Sequence, residues 1–369
     1  MKQIVSTGRN AGPTSAAVRA GDLVYLSGTT AESEGGTPVA GGVGVQTTSV
    51  LERMRGLLEA AGSSLDGVVS VMVYLTSASD FGEMNDAYRA YWPSNPPTRT
   101  TVITELVTPG ALVEISMIAV PRGGERLVVH PDGWLPAQSP YSYGIRTGDT
   151  LFLSGLVPRY GRDNSVIDGD IGAQTRAVMQ NASELLEAAG MTFANVVSSR
   201  VYLTQGANFP SMNTAYKEFF DAAPPTRATV VAGLAAPPFL VEMTFTASSA
   251  SREPVGTAPA GIPLSPAIRA GKRLYLSGVL GNTPESAGDV GAQTRETLAR
   301  IGGTLEAAGA SAADVVDATV FLTSTSGYAA MNEPFGEVFG PEYPARTTVV
   351  TPLVVGDGLV EIMVTAVLP

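Results

Sequence analysis

The chain is one unit written three times. Leu26-Ser27-Gly28 returns as Leu153-Ser154-Gly155 and Leu276-Ser277-Gly278, and LEAAG ends at Gly62, Gly190 and Gly309. A V-[YF]-L-T segment ends at Thr76, Thr204 and Thr323, and a Met-Asn pair ends at Asn85, Asn213 and Asn332. Arg99, Arg227 and Arg346 each follow that Asn by 14 residues, and Glu114, Glu242 and Glu361 follow the Arg by 15. From Gln46, Gln174 and Gln293 onward the offsets hold at 128 and 119. Units of about 120 residues are too long for solenoid repeats and match complete domains. The expected division is 1–122, 123–251 and 252–369. Spacing varies only just after LSG, which places a surface loop there, and in linkers near 122–127 and 249–262.

Composition removes several kinds of chemistry. With no cysteine and one histidine, His130, the chain has no thiolate nucleophile, disulfide or multi-histidine metal site, and no Ser-His-Asp arrangement can occur three times. A carboxylate-only metal site stays open. The net charge of −11 works against binding a phosphate backbone. No stretch reaches the roughly 18 apolar residues of a membrane span. MKQIVSTGRN lacks an apolar signal core, so the expectation is a cytoplasmic protein without a signal peptide.

In the first unit, Asp22 to Ser27 reads as a strand leaving a glycine turn. Val50, Leu51, Met54, Leu57, Leu58 and Ala61 follow helical spacing, with Gly62 as the stop. Val68–Thr76 reads as a buried strand. Phe81, Met84, Tyr88 and Trp92 give a second helix, ended by Pro96-Pro97. Thr98–Leu106 and Leu112–Val120 read as strands around the Pro109-Gly110 turn. The pattern predicts an α+β domain: a mixed sheet with two helices on one face and one further strand in front. The other sheet face also looks apolar, and the two remaining copies, closing about a pseudo-threefold axis, would cover it.

Glu114, Glu242 and Glu361 lie inside apolar strands, where a carboxylate is costly unless paired and where its pKa shifts toward proton transfer. Arg99, Arg227 and Arg346 open strands and offer a fork suited to a carboxylate. The plain alternative is a structural Arg–Glu salt bridge. A hairpin at Pro109-Gly110 would pair Arg99 near residue 119 rather than 114, and the sequence leaves open whether Arg and Glu meet within a domain or across two. Ser27, Ser154 and Ser277, with Gly28, Gly155 and Gly278, suit either ligand donation or a strand-end turn. Asn85, Asn213 and Asn332 suit a helix-to-loop bond equally well. Gln46, Gln174 and Gln293 read as helix-start residues, His130 as a linker residue, and Trp92 and Trp134 as packing residues. Tyr25, Tyr74 and Tyr202 read as core or interface.

Pro97-Thr98-Arg99-Thr100-Thr101-Val102 followed by Val113-Glu114-Ile115 and Ala119, with its two echoes, resembles the YjgF / RidA / L-PSP family of reactive-intermediate deaminases. The LSG strand, the LEAAG helix end and the Met-Asn helix support the resemblance, which covers essentially the whole chain. It implies chorismate-mutase-like domains that usually assemble as trimers with clefts between subunits; here one chain would supply all three, as a monomer. It implies hydrolysis of 2-aminoacrylate-type enamines or imines to 2-oxo acids and ammonia, with no metal and no cofactor. By position, Arg99, Arg227 and Arg346 would clamp the substrate carboxylate, and Glu114, Glu242 and Glu361 would hold the attacking water. The Ser-Gly pairs and the Asn residues would line the pocket. The family's tyrosine after G-P occurs only as Tyr141, against Thr14 and Leu264, and its cysteine two residues after the Arg is Thr101, Thr229 and Thr348. The clefts are therefore expected to be unequal, with the Tyr141 cleft the best match. Two other readings compete: a non-catalytic binder of carboxylate metabolites or chaperone-like ring, and an endoribonuclease, which the acidic charge disfavours.

Overall fold

The computed structural model describes residues 2–5, 12–33, 36–221, 223–236, 238–258 and 260–368. Residues 6–11 of the N-terminal segment and Pro259 of the second predicted linker lie outside them.

The first domain contains β1 (Gln3–Val5), β2 (Ala17–Ala20), β3 (Leu23–Thr30), α1 (Val43–Ala60), β4 (Val68–Leu75), α2 (Phe81–Arg89), β5 (Thr98–Ile103), β6 (Glu105–Leu106) and β7 (Val113–Ala119). The front strand expected from the sequence is β2, hydrogen-bonded to β3. Helix α1 buries Val50, Leu51, Met54, Leu57 and Leu58, the stripe its spacing predicts, against the sheet, and α2 packs beside it. Gly62 ends α1 at φ 75°, a left-handed position that a side chain disfavours. The other domains repeat this plan with α3 (Ile171–Ala188), α4 (Phe209–Lys217), α5 (Val290–Ala307) and α6 (Tyr328–Phe339). The chain thus carries three α+β domains, each a mixed sheet with its own helices and core.

One local expectation is corrected. Strands β5 and β7 do not form a hairpin, because β4 lies between them, parallel to β5 and antiparallel to β7. Val71 faces Arg99 and Tyr74 faces Glu114. The turn at Pro109-Gly110 carries the chain over β4 rather than back along β5. Within one domain, Arg and Glu are therefore separated by a whole strand.

Each sheet also borrows an edge. Gly233–Leu234 of the second domain pairs with Val102 and Ile103 of the first, and β6 of the first pairs with Val349 and Val350 of the third. Leu353 of the third bridges to Val230 of the second, whose Val231 N–H donates to the Pro352 carbonyl at 2.9 Å. The exchanges run in one rotational sense and cover strand edges that would otherwise expose unpaired backbone. Beneath them, Tyr74, Tyr202, Phe321, Val102, Val230 and Val349 join one apolar cluster drawn from all three domains. Tyr25 joins a second such cluster. Tyr25, Tyr74 and Tyr202 thus occupy the interdomain core.

At one end of this core, Arg273 of the third domain reaches both Asp22 of the first and Asp149 of the second, and its Nη1 donates to Thr150 Oγ1 at 2.9 Å. Asp22 and Asp149 occupy equivalent repeat positions; the third copy has Lys272 there and Arg273 next to it. Arg273 is buried while the Asp22 side chain is 59% exposed, so water screens part of the attraction. Arg273→Met is expected to lower stability by about 1–2 kcal/mol and Arg273→Lys by less, measured by urea unfolding. Unchanged stability in Arg273→Met would refute the clasp.

Candidate functional site: Arg and Glu facing across domain boundaries

Each repeated Arg faces the repeated Glu of another domain. Arg99 lines a cleft with Glu242, and Arg346 lines one with Glu114. Arg227 acts electrostatically on Glu361 in the same way. The open question of partnership is settled as across domains.

The local structure explains how each Arg is placed. The backbone N–H of Arg99 donates to Ser154 Oγ at 2.9 Å, and Gly155 N–H donates to the Arg99 carbonyl at 3.1 Å. Arg227 donates to Ser277 Oγ at 2.9 Å, and Arg346 to Ser27 Oγ at 2.8 Å. Each serine donates its own proton to a carbonyl: Ser154 to Ser142, Ser277 to Ser265 and Ser27 to Ser15. Ser27, Ser154 and Ser277 therefore hold the neighbouring Arg strand rather than offering a proton to a ligand, which corrects one of the two sequence readings. Gly28, Gly155 and Gly278 are required for a different reason: a Cβ at any of them would overlap the carboxyl group of Glu114, Glu242 or Glu361 respectively.

The guanidinium groups lie on aromatic faces. Arg99 is 5.7 Å from the Phe81 ring centre and 4.9 Å from that of Tyr88, both on α2. Arg227 lies over Phe209 and Tyr216, and Arg346 over Tyr328 and Phe335. Burial pushes all three below the usual guanidinium range. None forms a salt bridge within 4.0 Å among the described residues. Buried Arg99 Nη1 and Arg227 Nε and Nη1 have no hydrogen-bond partner there. The plain salt-bridge reading is therefore not what the geometry shows. A cation–π contact offsets only part of the cost of an unpaired buried cation.

The carboxyls form no salt bridge within 4.0 Å among the described residues, and each is held by a backbone amide instead. Burial raises Glu114, Glu242 and Glu361 from 4.5 to about 8, offset in part by the backbone amides of Thr348, Thr101 and Thr229 and by the facing Arg. At neutral pH each group is largely a neutral acid, able to donate as well as accept a proton. Stability linked to these groups is complete below 4.5 and is lost as pH rises through about 8, because the folded state binds the extra protons. The melting temperature is expected to fall between those limits, and Glu114/Glu242/Glu361→Gln to flatten the slope. Asp317, raised by burial to about 6, contributes with the same sign and stays in the variant. An unaltered slope in the Gln variant would refute the assignment.

Thr101, Thr229 and Thr348 place buried Oγ1 atoms beside these carboxyls, without a partner among the described residues. Asn85, Asn213 and Asn332 lie on α2, α4 and α6, and their buried Oδ1 atoms likewise lack a partner there, against the helix-to-loop reading. Asn85 follows Phe81 by four residues and precedes Tyr88 by three, so it shares the helix face that covers Arg99. Tyr141 lines the Arg99–Glu242 cleft, and Thr14 lines the Arg346–Glu114 cleft, where it bonds Ser27 at 2.9 Å.

The sequence reading missed the role of the three glutamines. Each is buried in the first turn of its helix, and its side chain clamps the turn that leads into the Glu strand. Gln46 Oε1 accepts from Leu112 N–H at 2.8 Å while its Nε2 donates to the Gly110 carbonyl at 3.1 Å. Gln174 binds Leu240 and Pro238 in the same way, and Gln293 binds Leu359 and Asp357. The signal was available: each Gln keeps its distance to the Glu while the spacing ahead of it drifts. His130 is exposed and bonds the Trp134 carbonyl, while Trp92 and Trp134 pack in the cores of the first two domains. Among the described residues no cluster of three or more His, Asp or Glu forms a metal site, and no helix is long and apolar enough to cross a membrane.

Comparison with known proteins finds one family three times along the chain. The family model described as Endoribonuclease L-PSP matches residues 7–121, 134–249 and 255–368. A RutC family protein of Sulfurisphaera tokodaii is 41% identical over 91 residues, covering 25% of this chain and 73% of that protein. The 3-aminoacrylate deaminase RutC of Acinetobacter baylyi is 30% identical over 116 residues, covering 31% of this chain and 92% of its own. Among solved structures, a chorismatase aligns over 82% of this chain and 93% of its own, with a TM-score of 0.56 and 16% identity, a likeness of fold alone.

Proposed function

Because the chain belongs to the Endoribonuclease L-PSP family, whose relatives include a 3-aminoacrylate deaminase, we propose that it hydrolyses reactive enamines or imines of 2-amino acids to 2-oxo acids and ammonia. One observation carries the reading: at each domain boundary a buried guanidinium faces a buried acid without an ion pair between them, so neither charge is neutralised by the other, and an anionic, protonatable substrate would supply both with a partner.

In this mechanism Arg99, Arg227 or Arg346 takes the substrate carboxylate through its fork. The neutral Glu donates its proton to the imine nitrogen. The resulting carboxylate then accepts a proton from water as the water oxygen bonds to the imine carbon, giving a carbinolamine. Glu next protonates the amino nitrogen, the C–N bond breaks with its electron pair leaving on ammonia, and the hydroxyl proton returns to Glu as the carbonyl forms. The cycle consumes one water and restores the neutral acid. The Thr101, Thr229 and Thr348 hydroxyls lie where they can hold that water.

A coupled assay tests the proposal. A pyridoxal-dependent dehydratase generates 2-aminoacrylate from serine, and pyruvate and ammonia are followed with and without this protein. Faster release is expected; an unchanged rate with this and other 2-amino-acid imines sinks the reading. RNA is a poor candidate ligand for a chain of net charge −11. We further propose that the three domains close a ring within one chain. Sedimentation is then expected to give a 38.0 kDa monomer; a trimer of chains would overturn this.

A further inference from the structure

The cleft between Arg99 and Glu242 contains a second guanidinium. Arg159 sits on the hairpin that follows the LSG strand, where it forms a β-bridge with Val166. The register leading to this hairpin is the same in all three domains: Thr29, Leu156 and Val279 pair with Ile115, Met243 and Ile362, the residues directly after the repeated Glu. Three positions further along stand Glu32, Arg159 and Asn282. One structural position thus carries an acid, a base and a neutral amide in the three domains.

The surroundings of that position differ as well. Glu32 is paired with Arg53 at 3.6 Å. Arg159 has no carboxylate within 4.0 Å among the described residues. Its Nη1 donates to the Asn164 carbonyl at 2.7 Å, and its guanidinium lies 5.5 Å from the centre of the Phe239 ring, which fixes the charge at the cleft wall. The cavity measures about 270 Å³, against about 110 Å³ for the cleft containing Glu32. Phe81, Val157, Ala235, Ala236 and Phe239 give it apolar walls.

We propose that this cleft takes an acid bearing two anionic groups. One sits on Arg99 at the reacting end, the other on Arg159, and a short apolar segment between them lies against Phe81 and Phe239. Arg159 is then the specificity-determining residue. The inference rests on the reading that Arg99 holds a carboxylate and deepens it by naming the substrate class. Cleft shape alone separates such acids weakly, since a methylene changes affinity modestly, whereas a group with a charged partner gains far more than one without.

Isothermal titration of the full chain with 2-oxo acids tests this without turnover. The probes are 2-oxoglutarate and 2-oxoadipate, each compared with the monoanionic 2-oxo acid of equal chain length. The dianion is expected to bind about tenfold more tightly, the effect of one charge-assisted hydrogen bond. In Arg159→Ala the ratio is expected to fall to about one, and in Arg159→Glu to below one. A ratio of one in the unaltered protein, or a preference that survives Arg159→Ala, overturns the inference. If monoanions bind and the Arg99/Arg227/Arg346→Ala variant loses them while the ratio is one, only the second-anion inference falls. If no 2-oxo acid binds, the carboxylate-clamp reading falls with it.

Discussion

Turnover of 2-aminoacrylate is expected to fall at least about a hundredfold when Arg99, Arg227 and Arg346 are all replaced by Ala. A bidentate charge-assisted contact contributes about 1.5–3 kcal/mol per hydrogen bond, and 2.7 kcal/mol corresponds to two decades of rate. The loss should appear mainly in kcat/KM, because on the proposed reading the fork both binds and aligns the substrate. The Arg→Lys triple variant separates charge from shape: it keeps the cation but loses the planar fork, and should recover only part of the rate. Folding is a lesser concern than burial suggests, since each guanidinium lies on rings rather than in an ion pair. Removing it leaves no buried carboxylate newly stranded at contact distance. Unchanged turnover in a folded triple variant would remove Arg from the mechanism.

The second large effect is expected from a single methyl group. In Gly155→Ala the new Cβ overlaps the Glu242 carboxyl and approaches Thr100 Cγ2 of the first domain at 3.0 Å. Either the Glu leaves its position or the two domains part, so activity from that cleft should be lost. Overpacking of this kind typically costs about 1–3 kcal/mol, which should leave the chain folded. Gly28→Ala and Gly278→Ala press a Cβ on the Glu114 and Glu361 carboxyls in the same way, so the three single variants divide total activity among them. Gly155→Ala is expected to remove more than half, because its cleft has Tyr141 and about 270 Å³ of space. Full activity in Gly155→Ala would show that catalysis does not use that cleft.

Much of this was legible in the residues. Helix α1 was fixed by its apolar stripe and Gly62, and the threefold repeat of the domain by the recurrence of whole motifs. The serines were harder to read. A Ser-Gly at a strand end is consistent with ligand donation, and only the partner across the domain boundary shows that its proton is committed and that its oxygen positions an Arg. The placing of Arg99 and Glu114 in different clefts was hidden for a related reason. The turn at Pro109-Gly110 suggests a hairpin by local rules, whereas β4 takes the middle position because its VVSVMVYL run favours burial between two neighbours. Gln46 looked like an ordinary helix-start residue because its partners, Gly110 and Leu112, lie 64 and 66 residues away. Arg159 drew no notice because it lies in the stretch where the repeats stop aligning.

The borrowed sheet edges carry a consequence for how such a protein can change. Where a ring is built from identical chains, a replacement in one cleft is imposed on all of them, so a trial that spoils the old activity spoils it everywhere at once. Here each cleft is encoded by its own pair of segments, and one nucleotide change reaches one cleft alone. The shared core and the strand exchanges keep the assembly intact while a single cleft drifts. The acid, base and amide at positions 32, 159 and 282 are what such independent drift would leave behind.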